Sequence, residues 1–173
     1  MGRNNEGRIL AIDPGTREMG VAVLEKGNLL YHSVETCPKR AAPGERLRQG
    51  RAAVARFIRD FRPKVLAVEK TFVGRNRNAA ILNVLAGEIA SLGRRNRITV
   101  MSLAPNTVKK AIVGYGWATK AEVAKAVAAR FPRLKAYLPP MRKWKQQRQL
   151  NMFDAVAIGL TASRTLNVKG RTP

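Results

Sequence analysis

Residues 8–36 read RILAIDPGTREMGVAVLEKGNLLYHSVET, and the punctuation of this stretch decides the fold. RILAI (residues 8–12) is a short apolar run ending in the turn Asp13, Pro14, Gly15. GVAVLE (residues 20–25) runs into the turn Lys26, Gly27, Asn28, and LLYHSVET (residues 29–36) follows at once. Strand-like runs joined by connections this short pair as an antiparallel meander, because a parallel return needs a crossover of a dozen residues or more.

Outward from the meander the period changes. From about Gly44 to Phe61 the apolar positions Leu47, Ala52, Val54, Ala55, Phe57, Ile58 and Phe61 recur at helical spacing, and Pro63 closes the segment. VLAVE (residues 65–69) is apolar at nearly every position, as a strand covered on both faces requires. A second helix is expected over 78–95, a strand ITVMSL over 98–103 and a short helix from Pro105 to Val113. Gly114 and Gly116 flank Tyr115 in a bend, and the next helix opens at Thr119 with Glu122 three residues on, a capping box. Residues 132–149 hold three prolines and a basic run, a last helix covers about 149–165, and a short basic tail frays after Leu166.

Crossovers are right-handed and join neighbours, so the fourth strand pairs parallel to the first. The expectation is an α/β fold: a five-stranded mixed sheet, three antiparallel strands then two parallel, flanked by helices. Neither repeat nor linker divides the chain, and residues 1–173 are expected to form a single domain with short basic termini.

Lys and Arg total 33 against 11 Asp and Glu, a net charge of +22 that favours a polyanionic partner. A ribosomal or chromatin protein would carry the same excess, so charge argues for nucleic-acid binding and not for catalysis. No apolar run reaches the roughly 20 residues of a membrane span, and Met1 to Arg8 is polar, so the chain is expected in the cytoplasm. Gly2 fails as a lipidation site because Glu6 stands where that motif wants Ser or Thr. Cys37 is the only cysteine and can form no intrachain disulfide.

Three carboxylates are poorly placed for mere solubility. Asp13 follows an apolar strand, Glu69 finishes another, and Asp154 interrupts the apolar run MFDAVAIGL (residues 152–160). The predicted parallel pairing brings Asp13 and Glu69 to one sheet edge, and Asn151 shares a helix face with Asp154. Converging buried carboxylates repel one another unless a cation lies between them. Oxygen donors suit Mg²⁺ or Mn²⁺, and two such ions about 4 Å apart can drive phosphodiester hydrolysis. Each residue also has a plain reading: Asp13 as a turn residue, Glu69 paired with Lys70, Asp154 bridged at a helix surface. Their convergence on separate elements favours the functional one.

Four stretches in order resemble RuvC-type Holliday-junction resolvases of the ribonuclease H-like superfamily. They are AIDPGTREMGVAVLE (residues 11–25), AVEKTFVGRNRNAA (67–80), VKKAIVGYGWATKAEV (108–123) and DAVAIGLT (154–161). The resemblance implies a ribonuclease H-like fold and a crossover junction endodeoxyribonuclease acting in DNA recombination and repair. It implies metal-ligating roles for Asp13, Glu69 and Asp154, with Asn151 standing where the family has an acidic residue or a histidine. An amide oxygen can still ligate Mg²⁺ but brings no charge.

The resemblance further implies that Phe72 stacks on a base at the junction centre, within a loop carrying Arg75, Asn76 and Arg77; packing of Phe72 into the core is the alternative. Lys109 and Lys120 match lysines that contact phosphates near the scissile bond, and Lys120 counts among the catalytic candidates. Lys110 and Lys125 read equally as solvated helix charges. Arg142, Lys143, Lys145 and Arg148 lead into the last helix and are expected to grip the DNA backbone, while Trp144 among them suits core or DNA alike. His32 reads as a sheet residue.

The helix over 78–95 is apolar on more than one side, through Ile81, Leu82, Val84, Leu85, Ala86, Ile89 and Leu92. One side can face the sheet. The other can meet a second subunit, with Ala79, Gly87 and Ala90 permitting close approach, or lie under the C-terminal helices of its own chain. The partners expected are four-way DNA junctions, a second copy of the chain and branch-migration machinery. Two other functions fit the same residues: a non-catalytic junction-binding protein weakened at the metal by Asn151, and a ribonuclease H-like enzyme on another nucleic acid.

Overall fold

A computed structural model describes residues 7–71, 77–139 and 149–169, apart from the side chains of residues 77, 78, 168 and 169. The meander forms as read: β1 (Arg8–Asp13), β2 (Glu18–Glu25) and β3 (Asn28–Thr36) pair antiparallel in sequence. Lys26 and Gly27 both take positive φ, 51° and 79°, between the paired residues Glu25 and Asn28. That is the backbone of a two-residue hairpin turn whose twist matches the strands, and glycine supplies the second position without steric cost.

Helix α1 (Pro43–Phe61) crosses to β4 (Val65–Glu69), and α2 (Arg77–Arg95) crosses to β5 (Thr99–Leu103). Both returns are parallel, giving the order β3-β2-β1-β4-β5. Arg62 ends α1 in the left-handed conformation ahead of Pro63, which cannot continue a helix. Then come α3 (Pro105–Val113), α4 (Lys120–Arg130), a 3₁₀ segment over Pro132–Tyr137 and α5 (Gln149–Lys169).

Strand alternation sorts the core into two layers. Leu10, Ile12, Val21, Val23, Leu66 and Val68 pack with Val54, Phe57 and Ile58 of α1 and with Leu85 and Ile89 of α2. Ile9, Ala11, Ala22, Leu24, Val65 and Ala67 pack on the opposite face with Phe153, Val156, Ala157 and Leu160 of α5 and with α4. The C-terminal helices therefore lie across the sheet from α2 and do not cover it. Val84 of α2 remains 51% exposed.

Ala11, Ala22 and Ala67 keep the α5 side of the central strands shallow, so α5 lies close against them. The approach is tightest at two glycines. A Cβ on Gly20 would stand 1.9 Å from the backbone oxygen of Asn151 and 3.2 Å from the nitrogen of Met152. A Cβ on Gly159 would meet Leu24 Cδ1 at 2.2 Å and the Cβ of Ala11 at 3.2 Å. The start of α5 is thus seated directly on β2.

Within the proline-bearing stretch Pro132 opens the 3₁₀ segment, where Leu134 is fully buried. One expectation needs correction. The frayed tail after Leu166 is instead helical to Lys169, since no residue that breaks a helix occurs before Gly170.

Candidate active site

Asp13 ends β1, and Ile12 pairs with Val68 across the parallel ladder, so Asp13 and Glu69 come next in register at the carboxyl edge. By alternation Asp13 shares the face of Ile9 and Ala11, and Glu69 that of Val65 and Ala67, both toward α5. Asp154 lies in the second turn of α5, its side chain only 15% exposed. Three separate elements thus bring carboxylates into one field.

Electrostatics records the convergence. Burial pushes the Asp13 carboxyl well above its ordinary range, and the charges of Asp154 and Glu69 push it further while Lys120 pulls it back. Glu69 is raised by burial and by Asp154, against Lys120 and Lys109. Asp154 is raised by burial, opposed by Lys120 and then Lys109. The Lys120 ammonium stands 2.5 Å from Asp154 Oδ2. Burial works against its charge, yet Asp154, Asp13 and Glu69 together hold its pKa above the ordinary lysine value.

This donor set fits a hard divalent cation: it is all oxygen, and the like charges gain from one. Among the described residues no three His, Cys, Asp or Glu side chains form a ready cage. Mg²⁺ does not need one, because it commonly takes one or two carboxylates, waters and substrate phosphate oxygens. Asn151 lies one turn before Asp154, and its Nδ2 donates to the Glu18 carbonyl of β2 at 3.3 Å, leaving its amide oxygen as a donor.

Lys109 is half-buried on α3 and acts on the charges of Glu69 and Asp154. Lys110 is exposed on the same helix, and Lys125 of α4 acts on Glu122. His32 lies in β3 opposite Ala22 with its ring 5.2 Å from Tyr137, apart from the carboxylates. Phe72, Arg75, Asn76, Arg142, Lys143, Trp144, Lys145 and Arg148 lie outside the described residues, as does the side chain of Arg77.

The sequence marks the cap behind Lys120 but not the aromatic pair that braces it. Thr119 and Glu122 form the full capping box at the start of α4, and the Tyr115 hydroxyl donates to Glu122 Oε1 at 2.5 Å. These bonds hold the Glu122 carboxyl at a pKa of about 2. Trp117 lies against Tyr115, ring centroids 5.1 Å apart, and is 83% exposed. The only hint in the sequence is two aromatics around Gly116 just ahead of the cap.

The mixed sheet with carboxylates at its carboxyl edge defines a ribonuclease H-like fold. The family model described as crossover junction endodeoxyribonuclease RuvC matches residues 9–162, and the chain belongs to that family of metal-dependent nucleases. A RuvC from Acidiphilium cryptum is 39% identical over 130 residues, 72% of this chain and 78% of that one. The structure of Thermus thermophilus RuvC in complex with Holliday junction substrate superposes with a TM-score of 0.76 at 28% identity. It covers 95% of this chain and 97% of that one. The yeast mitochondrial Holliday junction resolvase Ydc2 shares the fold, with a TM-score of 0.67 at 15% identity over 95% of this chain and 81% of its own.

Proposed function

We propose that this chain resolves four-way DNA junctions, nicking two strands of like polarity with the cluster Asp13, Glu69 and Asp154. The observation that carries the reading is the meeting of these three carboxylates, from β1, β4 and α5, around one lysine. Asp13, Glu69 and Asp154, with the Asn151 amide oxygen, would hold Mg²⁺ or Mn²⁺, two ions per site. Such ions activate water and stabilise the leaving oxygen when bound. The chain's own residues set the geometry: β1 and β4 fix Asp13 and Glu69, and α5 presents Asp154. Lys120 and Lys109 bring positive charge to where a phosphate arrives, and an ammonium held beside a phosphoryl oxygen stabilises charge as the bond breaks. Arg75, Asn76, Arg77, Arg142, Lys143, Lys145 and Arg148 supply phosphate contacts, and Phe72 stacks at the junction centre.

The chain acts as one nuclease domain within a homodimer, because two cuts need two sites. Support comes from α2, whose outer side carries exposed Val84 beside a groove of about 510 Å³ between α1 and α2. Leu47, Ala55 and Leu92 line it, and Arg51 pairs with Glu88 across it at 3.5 Å. Among the described residues no helix is long and apolar enough to cross a membrane, and the setting we assign is the cytoplasm, alongside branch-migration machinery.

The test is a panel of end-labelled junction, duplex, single-stranded and RNA–DNA hybrid substrates with Mg²⁺, Mn²⁺ or EDTA. Paired nicks on the junction alone, lost in EDTA, are expected. Binding without nicking in every metal would make the chain a junction-binding protein, and preferred cutting of the hybrid would move it to another substrate.

Asn151→Asp carries a separate prediction. The substitution adds a negative ligand beside Asp154 but loses the donor that Asn151 gives to Glu18. An acidic ligand binds Mg²⁺ better than an amide, so single-turnover cleavage should rise at low Mg²⁺, with a smaller gain in saturating Mn²⁺ and little change in junction affinity. A variant equal to or below the parent at every metal concentration would mean that Asn151 is either already a competent ligand or not at the metal.

A further inference from the structure

We infer that Trp117 is a stacking platform for an unpaired nucleobase of the strand being cut, held in register with the carboxylate site by the α4 cap. The inference rests on the nuclease reading above. The Trp117 indole is 83% exposed and rests on Tyr115, so much of its surface is open to a planar partner. Its support is not casual. The ring lies against Tyr115 at 5.1 Å and 33°, and the Tyr115 hydroxyl is fixed at 2.5 Å on Glu122 Oε1. Glu122 Oε2 in turn accepts from Thr119 N at 2.7 Å and Thr119 Oγ1 at 2.8 Å. The next residue, Lys120, reaches Asp154 at 2.5 Å. A short chain of contacts therefore joins the exposed ring to the acidic cluster.

The chemistry of the surroundings selects the occupant. The chain carries +22, and Lys109 and Lys120 flank the cluster, which favours a polyanion over an apolar protein surface. An aromatic face gains most from another flat π-system, and a base inside a duplex has both faces already stacked. The base on Trp117 is therefore one that has left its stack close to the scissile phosphate. Stacking tolerates every base, so the contact sets where the strand lies more than which sequence is cut.

The experiment compares the parent with Trp117→Ala and Trp117→Phe on junctions carrying an abasic site at successive positions of the cut strand. Binding is read by anisotropy of labelled DNA in EDTA, and single-turnover cleavage in Mg²⁺. At one position, base removal should weaken the parent roughly five- to hundred-fold in binding or cleavage, leave Trp117→Ala no weaker than on intact DNA, and affect Trp117→Phe like the parent. Tryptophan emission of the parent should also be quenched by intact junction more than that of Trp117→Phe. Junction binding with no such position and no extra quenching would overturn the platform and leave the nuclease reading intact. No junction binding at all would overturn both.

Discussion

Asp13→Asn is expected to lose more than roughly 100-fold of junction cleavage and, at the same time, to make the metal-free protein more stable. Outer-shell partners of metal ligands commonly account for about 10- to 100-fold, so the loss of a ligand itself should exceed that. The stability gain follows from the direction of the Asp13 shift. Burial and the neighbouring carboxylates raise its pKa in the folded chain, so the folded state keeps a proton that the unfolded state has released. Stability then falls as pH rises from the ordinary carboxylate range through the raised value, and the penalty persists at neutral pH. An amide removes the charge and with it the penalty. Thermal unfolding of both proteins at pH 4 and pH 7.5 in EDTA is the measurement: the Asn variant should melt higher at pH 7.5, with a smaller gap at pH 4. Mg²⁺ should raise the melting temperature of the parent more than that of the variant. Equal nicking by the two proteins would end the assignment.

Lys120→Met is expected to cost about 10²- to 10³-fold in single-turnover cleavage, the scale of losing one charge-stabilising donor. Junction affinity should change little, since one phosphate contact is lost among many. A pH profile separates this role from a structural one. Lys120 lowers the pKa values of Asp13, Glu69 and Asp154. Without it those carboxyls protonate at higher pH, so the acid limb of the cleavage profile should move upward. Lys120 itself is held above the ordinary lysine value and stays charged through neutral pH. A cleavage loss with an unmoved acid limb would mean that Lys120 acts on the DNA alone and not on the carboxylates.

The adjacency of Asp13 and Glu69 was legible because it follows from chain connectivity: a meander, one helical crossover and a fixed handedness leave few places for the fourth strand. The α4 cap was legible for a similar reason, since Thr119 and Glu122 act within one turn. What escaped the sequence depends on which face an element covers. The width of the apolar arc on α2 did not reveal whether α5 lay on the same side of the sheet, because that depends on packing between distant segments. The bond from Asn151 to Glu18 spans 133 residues and has no local signature. Trp117 was hidden for the opposite reason: in a linear string an exposed aromatic looks the same as a buried one.

The seating of α5 on Gly20 and Gly159 bears on how inactive alleles of this gene would be distributed. An alanine at Gly20 would press on the backbone between Asn151 and Met152, in the same turn-and-a-half of helix that carries Asp154. A screen for non-cutting alleles should therefore return this glycine alongside the carboxylates, although it is buried and holds no charge. Gly159 is more forgiving, because the nearest obstacle is the end of the Leu24 side chain, and alleles there should lean toward temperature sensitivity. Read as a map, such a collection would trace the seam between helix and sheet as clearly as the chemistry beyond it.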